Sequence, residues 1–321
     1  TALLRNGGST TIAPLTNDFD PSGGILVLQS VKTPPDSGVT VTVVDHSLLQ
    51  ISAASTVPAN LTVEYTVTNG TSSATGKVAI VPVTQSQPQP PVVTNDTAVV
   101  RAGDVVTASV LDNDSSPAGL NLSVDSQVSL VGDELGTAWV SENTVRLRAG
   151  NQPGRTSYAY TAKDDQGQTA SGVLTVEVRA QDAEHNSAPS PRNLEARTLA
   201  GSATNITVPL DGIDPDGDSV SLVGLNQAPS LGSVEINSSW LTYTPSEGAT
   251  GTDTFTYVVE DRFGAQATGT VRVGVAQASP LNVAPVATDD LVVAKPGRTV
   301  AVDVLSNDLD TDGDSLSLEG D

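Results

Sequence analysis

LDGIDPDGDSVSL, residues 210–222, is an acidic turn that runs directly into an alternating strand. A similar stretch, VLSNDLDTDGDSLSL, occupies residues 304–318. Asp214 and Asp310 in these two stretches are 96 residues apart (310 − 214 = 96). Similarity at a fixed interval is the mark of tandem structural repeats. The rest of the chain can therefore be interpreted as one unit that recurs about every 96 residues.

Other landmarks recur at the same interval. LLRNG at residues 3–7 is followed by VVRAG at residues 99–103, again 96 residues later (99 − 3 = 96). Each unit has a tyrosine late in its sequence and, after a turn, a glycine that opens the last strand. These residues are Tyr65, Tyr160 and Tyr257, with Gly76, Gly172 and Gly269. The pattern predicts three complete units and the beginning of a fourth.

The hydrophobic pattern within a unit has the period of a β-strand. Phe255, Tyr257 and Val259 alternate with polar residues, and no window has an amphipathic helical pattern of useful length. The third unit divides into about seven short strands, near 196–199, 206–208, 219–225, 232–236, 239–243, 253–260 and 266–275. Seven short strands in a unit of this length are typical of an Ig-like β-sandwich. We therefore predict an all-β chain of tandem sandwiches.

The predicted domain boundaries follow the repeat. The sandwiches span residues 1–84, 92–180 and 191–276, the linkers 85–91, 181–190 and 277–285, and a truncated fourth repeat 286–321. The first linker is rich in proline and all three are short, so the units have little freedom to move apart. A compact unit of about 100 residues has a radius of gyration of about 13 Å. Three units in line predict an elongated rod.

Composition excludes several classes of function. The 321 residues include no Cys and no Met, so disulfides and thiolate metal sites are absent. No apolar run approaches the roughly 20 residues of a membrane span, which predicts no membrane insertion. With 37 acidic and 15 basic residues the net charge is −22, which argues against nucleic acid or an anionic membrane as a partner. Cations are the more favourable partners for a chain with this negative charge.

Two acidic loops have the residue types of a calcium site. Calcium takes six to eight oxygen ligands, and short loops supply them by alternating carboxylates around a glycine. The candidate ligands are Asp214, Asp216 and Asp218 in one loop, and Asp310, Asp312 and Asp314 in the other. The alternative is a solvated acidic turn without a metal. Crowded like charges repel one another without a counterion, so calcium is the preferred interpretation.

The remaining ligands must come from outside each loop, because no bidentate Glu follows at EF-hand spacing. Candidates are Glu260 and Asp261 at the end of the tyrosine strand. Asp289 and Asp290 in the linker into the fourth unit are further candidates. If the linker pair closes a site, calcium would fix the angle between neighbouring units.

The first two units depart from the acidic pattern. The first keeps Asp18 and Asp20, but has Ser22 and Gly24 where the other acids would stand. In the second unit the residues at 115–119 retain none of the triad. We therefore expect weak or no calcium binding in the first unit and none in the second. Their junctions would then depend on prolines and apolar contacts alone.

The third unit resembles a known family. DPDGDSVSLVGL, LGSVEI and WLTYTPSEGATGTDTFTYVVEDRFGAQATGTVRVGV, followed by NVAPVATDD, are similar to the bacterial Ig-like, cadherin-like repeats of large surface and secreted proteins. The likeness is close in units three and four and looser in one and two. It implies an extracellular, non-catalytic spacer or adhesive stalk stiffened in places by calcium. A surface protein or a glycan would then be its adhesion partner.

Two alternatives from other classes are considered. The sandwiches could be accessory modules of a secreted carbohydrate-active enzyme, separating a catalytic domain from a binding domain. The chain itself could be a glycosidase, which needs a carboxyl group in an apolar pocket flanked by aromatic residues. Here the acids lie in turns among Gly and Ser, and only 3% of residues are aromatic, which argues against catalysis.

Aromatic residues are assigned structural roles. The late tyrosines fit the packing and hydrogen-bonding role of the corner tyrosine in Ig-like sandwiches. Trp139 and Trp240 are expected at matching places in their units, as core residues and not as sugar-stacking platforms.

Overall fold

A computed structural model describes residues 1–59, 61–83, 89–278 and 283–287, with single positions and short stretches between 292 and 318. Within these residues the chain is built of β-strands, with one short 3-10 helix at Pro14–Asn17. The predicted all-β fold is confirmed. Asp289 and Asp290 lie outside the described residues.

The first unit is a sandwich of two sheets. Its strands are β1 Ala2–Arg5, β2 Ser9–Ile12, β3 Val27–Lys32, β4 Val39–Val44, β5 Leu48–Ala53, β6 Leu61–Thr68 and β7 Ser73–Val83. One sheet has the order β1-β7-β6-β3 and the other β2-β5-β4. β1 pairs with β7 in parallel, and the other pairs are antiparallel.

The second unit has the same plan with one extra short strand. Its strands are β8 Asp96–Arg101, β9 Val105–Ala108, β10 Leu122–Val124, β11 Ser129–Leu130, β12 Gly136–Ser141, β13 Thr144–Ala149, β14 Gly154–Asp164 and β15 Thr169–Arg179. The larger sheet has the order β10-β14-β15-β8, with β11 also paired to β14, and the smaller sheet is β12-β13-β9.

The third unit repeats the order of the first. Its strands are β16 Leu194–Leu199, β17 Thr204–Thr207, β18 Val220–Gln227, β19 Gly232–Ile236, β20 Trp240–Pro245, β21 Gly251–Asp261 and β22 Gln266–Ala276. The sheets are β16-β22-β21-β18 and β17-β20-β19. All seven strands expected from the sequence of this unit are present, with ends that differ by a few residues.

Alternating side chains of the two sheets form the core of each unit. Phe255, Tyr257 and Val259 on β21 are fully buried, and so are Leu241 and Tyr243 on β20. Burial of these apolar faces against each other supplies the main stabilising free energy of a sandwich. The period-two pattern in the sequence therefore identifies the core face correctly.

The two tryptophans do not belong to the core, so that prediction is wrong. Trp139 on β12 is 37% exposed and Trp240 on β20 is 40% exposed. They also occupy different strands of the small-sheet hairpin, so they do not stand at matching places. Trp240 directly precedes the buried Leu241, and alternate residues of a strand point to opposite faces. The same alternation that buries Leu241 turns Trp240 outward.

Asp253 in the GTDTFTY stretch is a buried structural residue. Its carboxylate accepts hydrogen bonds from the Ser230 amide at 2.9 Å and hydroxyl at 2.9 Å, the Leu231 amide at 2.7 Å and the Tyr243 hydroxyl at 2.9 Å. Burial by itself raises the pKa of Asp253, but these hydrogen bonds outweigh it, so the pKa is lowered. The ionised carboxylate therefore fixes the turn before β19 to the core.

Each late tyrosine lies across from a glycine of the next strand. The register pairs are Tyr65 with Gly76, Tyr160 with Gly172, and Tyr257 with Gly269. The ring covers the glycine so closely that a Cβ on Gly269 would lie 2.4 Å from Tyr257 Cζ. The hydroxyls bond the loop region at the end of the sandwich: Tyr65 to Asp18 at 2.8 Å and Tyr257 to the Arg192 carbonyl at 2.5 Å. The predicted packing and hydrogen-bonding roles are confirmed.

Neighbouring units are joined by polar as well as apolar contacts. The Arg5 guanidinium of the first unit donates to the Ala118 carbonyl of the second. The prediction that this junction depends on prolines and apolar contacts alone is therefore wrong. The first two units each reach the next unit with an arginine of their opening strand, whether or not the opposing loop is acidic: Arg5 contacts Ala118 and Arg101 contacts Asp218.

The first unit also contacts the third. The Ile25 amide donates to Thr252 Oγ1 at 2.8 Å, and Val27 packs with Leu199 and Ala276 in a small buried cluster. A direct contact between these two units is not expected of a straight line of three. The elongated rod therefore remains a prediction.

The tyrosine–glycine pair predicts the effect of one substitution. Gly269→Ala should lower the free energy of unfolding by about 1–3 kcal/mol, because the added methyl forces the Tyr257 ring off its position. Thermal unfolding followed by circular dichroism measures the change. Gly224→Ala is the matched control, since Gly224 also lies in a strand and a Cβ there meets nothing within 4 Å. Equal melting temperatures for the two variants would contradict this account.

Candidate metal centre

The loop before β18 is a tight turn shaped by Asp214. One carboxylate oxygen, Oδ1, accepts hydrogen bonds from the amides of Asp216 at 2.9 Å and Asp218 at 3.1 Å. Gly217 has φ of +83°, a conformation that a residue with a side chain adopts only under strain. The turn is thus held by hydrogen bonds from its own amides to Asp214 Oδ1. Asp214 Oδ2 takes no part in these hydrogen bonds.

Three carboxylates of this loop converge. Asp214, Asp216 and Asp218 each offer an oxygen, and these oxygens lie within 4.8 Å of one another. Asp214 and Asp218 are each 6% exposed. Among the described residues, Asp214 Oδ2 and Asp218 Oδ1 are buried oxygens without a hydrogen-bond partner. A buried carboxylate oxygen left without a donor is costly, so this arrangement favours a bound cation.

Asp261 lies at the end of β21, opposite Val220 of β18, which follows the acidic loop. Its Oδ1 accepts from the amides of Phe263 at 2.8 Å and Ala265 at 2.9 Å, in the same turn geometry as Asp214. Its Oδ2 accepts from Asn186 Nδ2 at 2.6 Å. Among the described residues, the oxygens that gather within 4.8 Å do not include those of Asp261, so its role as a ligand from the end of the tyrosine strand remains a prediction. Glu260 instead accepts from Gln266 at 2.5 Å, across the hairpin.

Asn186 is a candidate ligand that the sequence reasoning missed. It lies in the linker before the third unit, and its Oδ1 is buried without a hydrogen-bond partner among the described residues. The next residue, Ser187, donates its amide to Asp216 Oδ2 at 2.7 Å, which ties the linker to the acidic loop. A signal was present: Asn186 of NSAP and Asn282 of NVAP are 96 residues apart (282 − 186 = 96).

The protonation equilibria of the loop reflect this crowding. Burial raises the pKa of Asp218, and the hydrogen bond and positive charge of Arg101 only partly oppose the shift. The Ser187 amide and nearby arginines lower the pKa of Asp216, although partial burial opposes this. Of these two side chains, Asp218, whose pKa is raised, also has a buried oxygen without a hydrogen-bond partner among the described residues. The negative charge at Asp218 is therefore not fully compensated by the protein.

The donor set fits calcium. Every candidate ligand offers an oxygen from a carboxylate or an amide, as this hard cation prefers. Calcium–oxygen distances of about 2.3–2.6 Å place opposite ligands about 4.6–5.2 Å apart. The oxygens of the triad lie within 4.8 Å of one another, which is consistent with ligands around one ion. The triad thus matches a cation site in chemistry and in size.

The loop of the fourth unit has the same backbone turn. Asp310 Oδ1 accepts from the amides of Asp312 at 2.8 Å and Asp314 at 3.2 Å, and Asp312 Oδ2 accepts from the Val283 amide at 2.7 Å. Asp310 and Asp312 are buried, and burial raises the pKa of Asp312. Among the described residues, however, only the loop of the third unit gathers three such oxygens within 4.8 Å. The calcium site in this second loop remains a prediction.

The first unit keeps the turn but fills it with hydrogen-bond donors. Asp20 Oδ2 accepts from Ser22 Oγ at 2.6 Å, the Gly24 amide at 3.0 Å and Asn69 Nδ2 at 3.1 Å. Asn69 follows Tyr65 by four residues, as Asp261 follows Tyr257. An amide and a hydroxyl therefore satisfy the carboxylate at the place where the third unit has further acids. This arrangement supports the expectation of weak or no calcium binding in the first unit.

The second unit has half of the constellation. Asp164 follows Tyr160 by four residues, and its Oδ1 accepts from the amides of Gln166 at 2.9 Å and Gln168 at 2.8 Å. Asp164 Oδ2 is buried without a partner among the described residues. Asp114 is instead engaged by the Thr94 amide at 2.9 Å and the Tyr160 hydroxyl at 3.3 Å. One orphaned carboxylate without an acidic loop opposite it is a poor calcium site.

The three units match a known family of all-β domains. They match the family model of the bacterial Ig domain over residues 1–81, 88–177 and 186–274. The chain is therefore a member of the bacterial Ig domain family, as its sequence resemblance implied. A search of curated proteins found no significant match. Among the described residues, no helix has the length and apolar character needed to cross a membrane.

Solved structures with the same type of fold are only distantly similar. Sidekick-1 immunoglobulin domains 1–4 are 13% identical with a TM-score of 0.35, and the match covers 89% of this chain and 73% of that chain. The endo-fucoidan hydrolase MfFcnA4 from glycoside hydrolase family 107 is 17% identical with a TM-score of 0.29, covering 87% and 43%. The human desmocollin-1 ectodomain is 14% identical with a TM-score of 0.22, covering 80% and 53%. The chain thus spans less than half of the hydrolase, and no functional conclusion rests on likenesses this weak.

The hydrogen bonds around Asp20 predict its titration. The Ser22 hydroxyl and amide, with Asn69, lower the pKa of Asp20 from 3.8 to about 2. The pKa of Asp20 is lower in the folded state than in the unfolded state. Its ionised carboxylate therefore stabilises the fold above pH 4, and this stabilisation is lost as the pH falls through about 2. Carboxyl carbon NMR across this range measures the pKa. Ser22→Ala should raise it toward the ordinary value, and Ser55→Ala, an exposed serine elsewhere in the unit, should not. A pKa of Asp20 that is equal in all three proteins would refute the assignment.

Proposed function

We propose that this chain is a non-catalytic spacer or adhesive stalk of a bacterial surface or secreted protein, and that calcium stiffens its third unit. Membership of the bacterial Ig domain family supports the spacer role, because such domains are commonly parts of surface or secreted proteins. Sandwich domains that contact their neighbours can hold other parts of a protein at a distance without catalysing a reaction. A surface protein or a glycan is the proposed adhesion partner.

One observation carries the calcium assignment. Asp214 Oδ2 and Asp218 Oδ1 are buried, converge with Asp216 and have no hydrogen-bond partner among the described residues. A solvated acidic turn, the alternative, would expose these oxygens to water. Asn186 and Asp261 are the proposed additional ligands, because their side chains meet beside the linker that bonds to the loop. The site would therefore join the linker, the loop and the hairpin after β21 into one rigid end.

Calcium should increase the stability of the third unit. For a dissociation constant of about 10⁻⁴ M and free calcium of about 10⁻³ M, mass action gives about 1.4 kcal/mol. This corresponds to several degrees in melting temperature for a unit of this size. Thermal unfolding of the full chain in calcium and in chelator measures the shift, and isothermal titration calorimetry measures binding directly.

Asp214→Asn separates the metal site from the turn. The amide retains an acceptor for the Asp216 and Asp218 amides, but it removes the charge and one ligand oxygen. This variant should lose the calcium-dependent rise while it remains folded in chelator. Asp211→Asn is the matched control, because Asp211 is an exposed carboxylate of the same loop and should keep the response. If the parent protein shows no calcium-dependent shift and no heat of binding, the calcium assignment fails and a passive acidic spacer remains.

A further inference from the structure

The second and third units meet through an exchange of charged side chains. Arg101, at the end of β8, is buried with only 5% of its side chain exposed. Its Nε donates to Asp218 Oδ2 at 3.2 Å, and a terminal nitrogen lies 3.6 Å from Asp216 Oδ1. Its other terminal nitrogen donates to the Ala180 carbonyl at 2.7 Å. An arginine of one unit is thus inserted into the acidic loop of the next.

A second contact of opposite polarity lies beside the first. Asp104 of the second unit accepts from the Arg262 guanidinium of the third at 2.6 Å and from the Ser219 amide at 3.2 Å. Each unit therefore gives a cation and an anion to its neighbour. Such reciprocal pairing favours one register, because sliding the units would bring like charges together.

Backbone contacts fit the loop to the same surface. The Arg101 amide donates to the Gly217 carbonyl at 2.8 Å. A Cβ at Gly217 would lie 2.7 Å from Val100 Cα, so only glycine permits this approach. Arg179 Nη1 also donates to the Pro215 carbonyl at 2.8 Å. The two surfaces are thus complementary in shape as well as in charge.

The arginine position is part of the repeat. Arg5, Arg101 and Arg197 are each 96 residues apart (101 − 5 = 96; 197 − 101 = 96). Each donates to the corresponding loop region of another unit: Arg5 to the Ala118 carbonyl, Arg197 to the Leu26 carbonyl at 2.7 Å, and Arg101 to carboxylates. Among the described residues, only Arg101 of these three pairs with acidic side chains of another unit, whereas Arg197 pairs with Glu195 of its own strand at 3.4 Å.

We propose that the end of a unit bearing Arg101, Asp104 and Arg179 is a docking surface for the acidic loop of the following Ig unit, and that Arg101 makes the junction selective for such a loop. This goes beyond calcium binding, because the contacts are made by protein side chains alone. The docking surface places a cation against the outer oxygens of Asp216 and Asp218. Asp218 Oδ1 and Asp214 Oδ2 remain free on the side of the metal site.

Distances between labelled units in the full chain test the proposal. The chain has no Cys, so spin labels can be placed at cysteines introduced at Ser126 and Glu247, exposed positions of the second and third units. In chelator the parent protein should show a narrow distance distribution by electron–electron double resonance. Arg101→Gln should broaden it, because the acidic loop loses its cation. Arg155→Gln, which removes the same charge from an exposed position of the second unit, should not.

A variant on the other side of the junction guards against misfolding of the second unit. Asp218→Asn should weaken the same contact from the third unit, because Asp218 Oδ2 is the carboxylate oxygen to which Arg101 donates. In the double variant the broadening should not exceed that of Arg101→Gln alone, because both changes remove one interaction. Circular dichroism verifies that the units remain folded. If Arg101→Gln gives a distribution as narrow as Arg155→Gln, the proposal is wrong. Because all samples are in chelator, this failure is distinct from a failure of calcium binding.

Discussion

The cross-strand pair of Tyr257 and Gly269 sets the geometry on which the third unit depends. A one-residue slip in this pairing would turn every side chain of β21 to the opposite face. The glycine prevents such a slip, because only it can lie beneath the ring. Since register is fixed at this point, the hairpin end four residues later is fixed as well. Asp261 therefore lies beside Asn186 because of a packing contact, and not because of any metal.

The three units show how one scaffold carries different chemistry. In each, the residue four positions after the late tyrosine accepts two amides of its own turn through Oδ1, as Asn69, Asp164 and Asp261 do. The backbone shape is thus preserved by a single residue. The contact of its other terminal atom varies between units: Asn69 Nδ2 donates to Asp20, Asp164 Oδ2 has no partner among the described residues, and Asp261 Oδ2 accepts from Asn186. Function can change at this position without change in the fold.

The sequence predicts the local features well. Strands follow from the period of two, and the late tyrosines and acidic loops follow from the 96-residue interval. These are properties of short stretches, which physical rules connect directly to conformation. The three carboxylates of Asp214, Asp216 and Asp218 converge as their spacing suggested. The core assignment of Trp240 is wrong because it follows residue type and not periodicity: Trp240 alternates with the buried Leu241 and so lies on the outer face of β20.

Contacts between distant stretches could not be predicted in the same way. Asn186 is a linker residue with no charge, and Arg101 appeared only as part of a repeated string. Their contacts arise because folding brings residues 75 and 117 positions away to them (261 − 186 = 75; 218 − 101 = 117). The 96-residue interval did mark both residues, since the NSAP motif recurs as NVAP before the second acidic loop and the arginine recurs in the first strand of each unit. What it could not supply was the face on which the next unit docks.

Asp218 connects the two proposed properties of the loop. One oxygen contacts Arg101 of the second unit, and the other faces the proposed metal site. A calcium ion and the Arg101 guanidinium on the same carboxylate repel each other, which weakens docking. A calcium ion that orders the loop would also place Asp218 for the contact with Arg101, which strengthens docking. The balance sets a coupling free energy, which is the same whether it is measured through calcium affinity or through docking of the units. A change at the junction must therefore alter calcium affinity by the factor by which calcium alters the junction. Under the proposed calcium binding, the docking of the units and the occupancy of the loop are coupled equilibria.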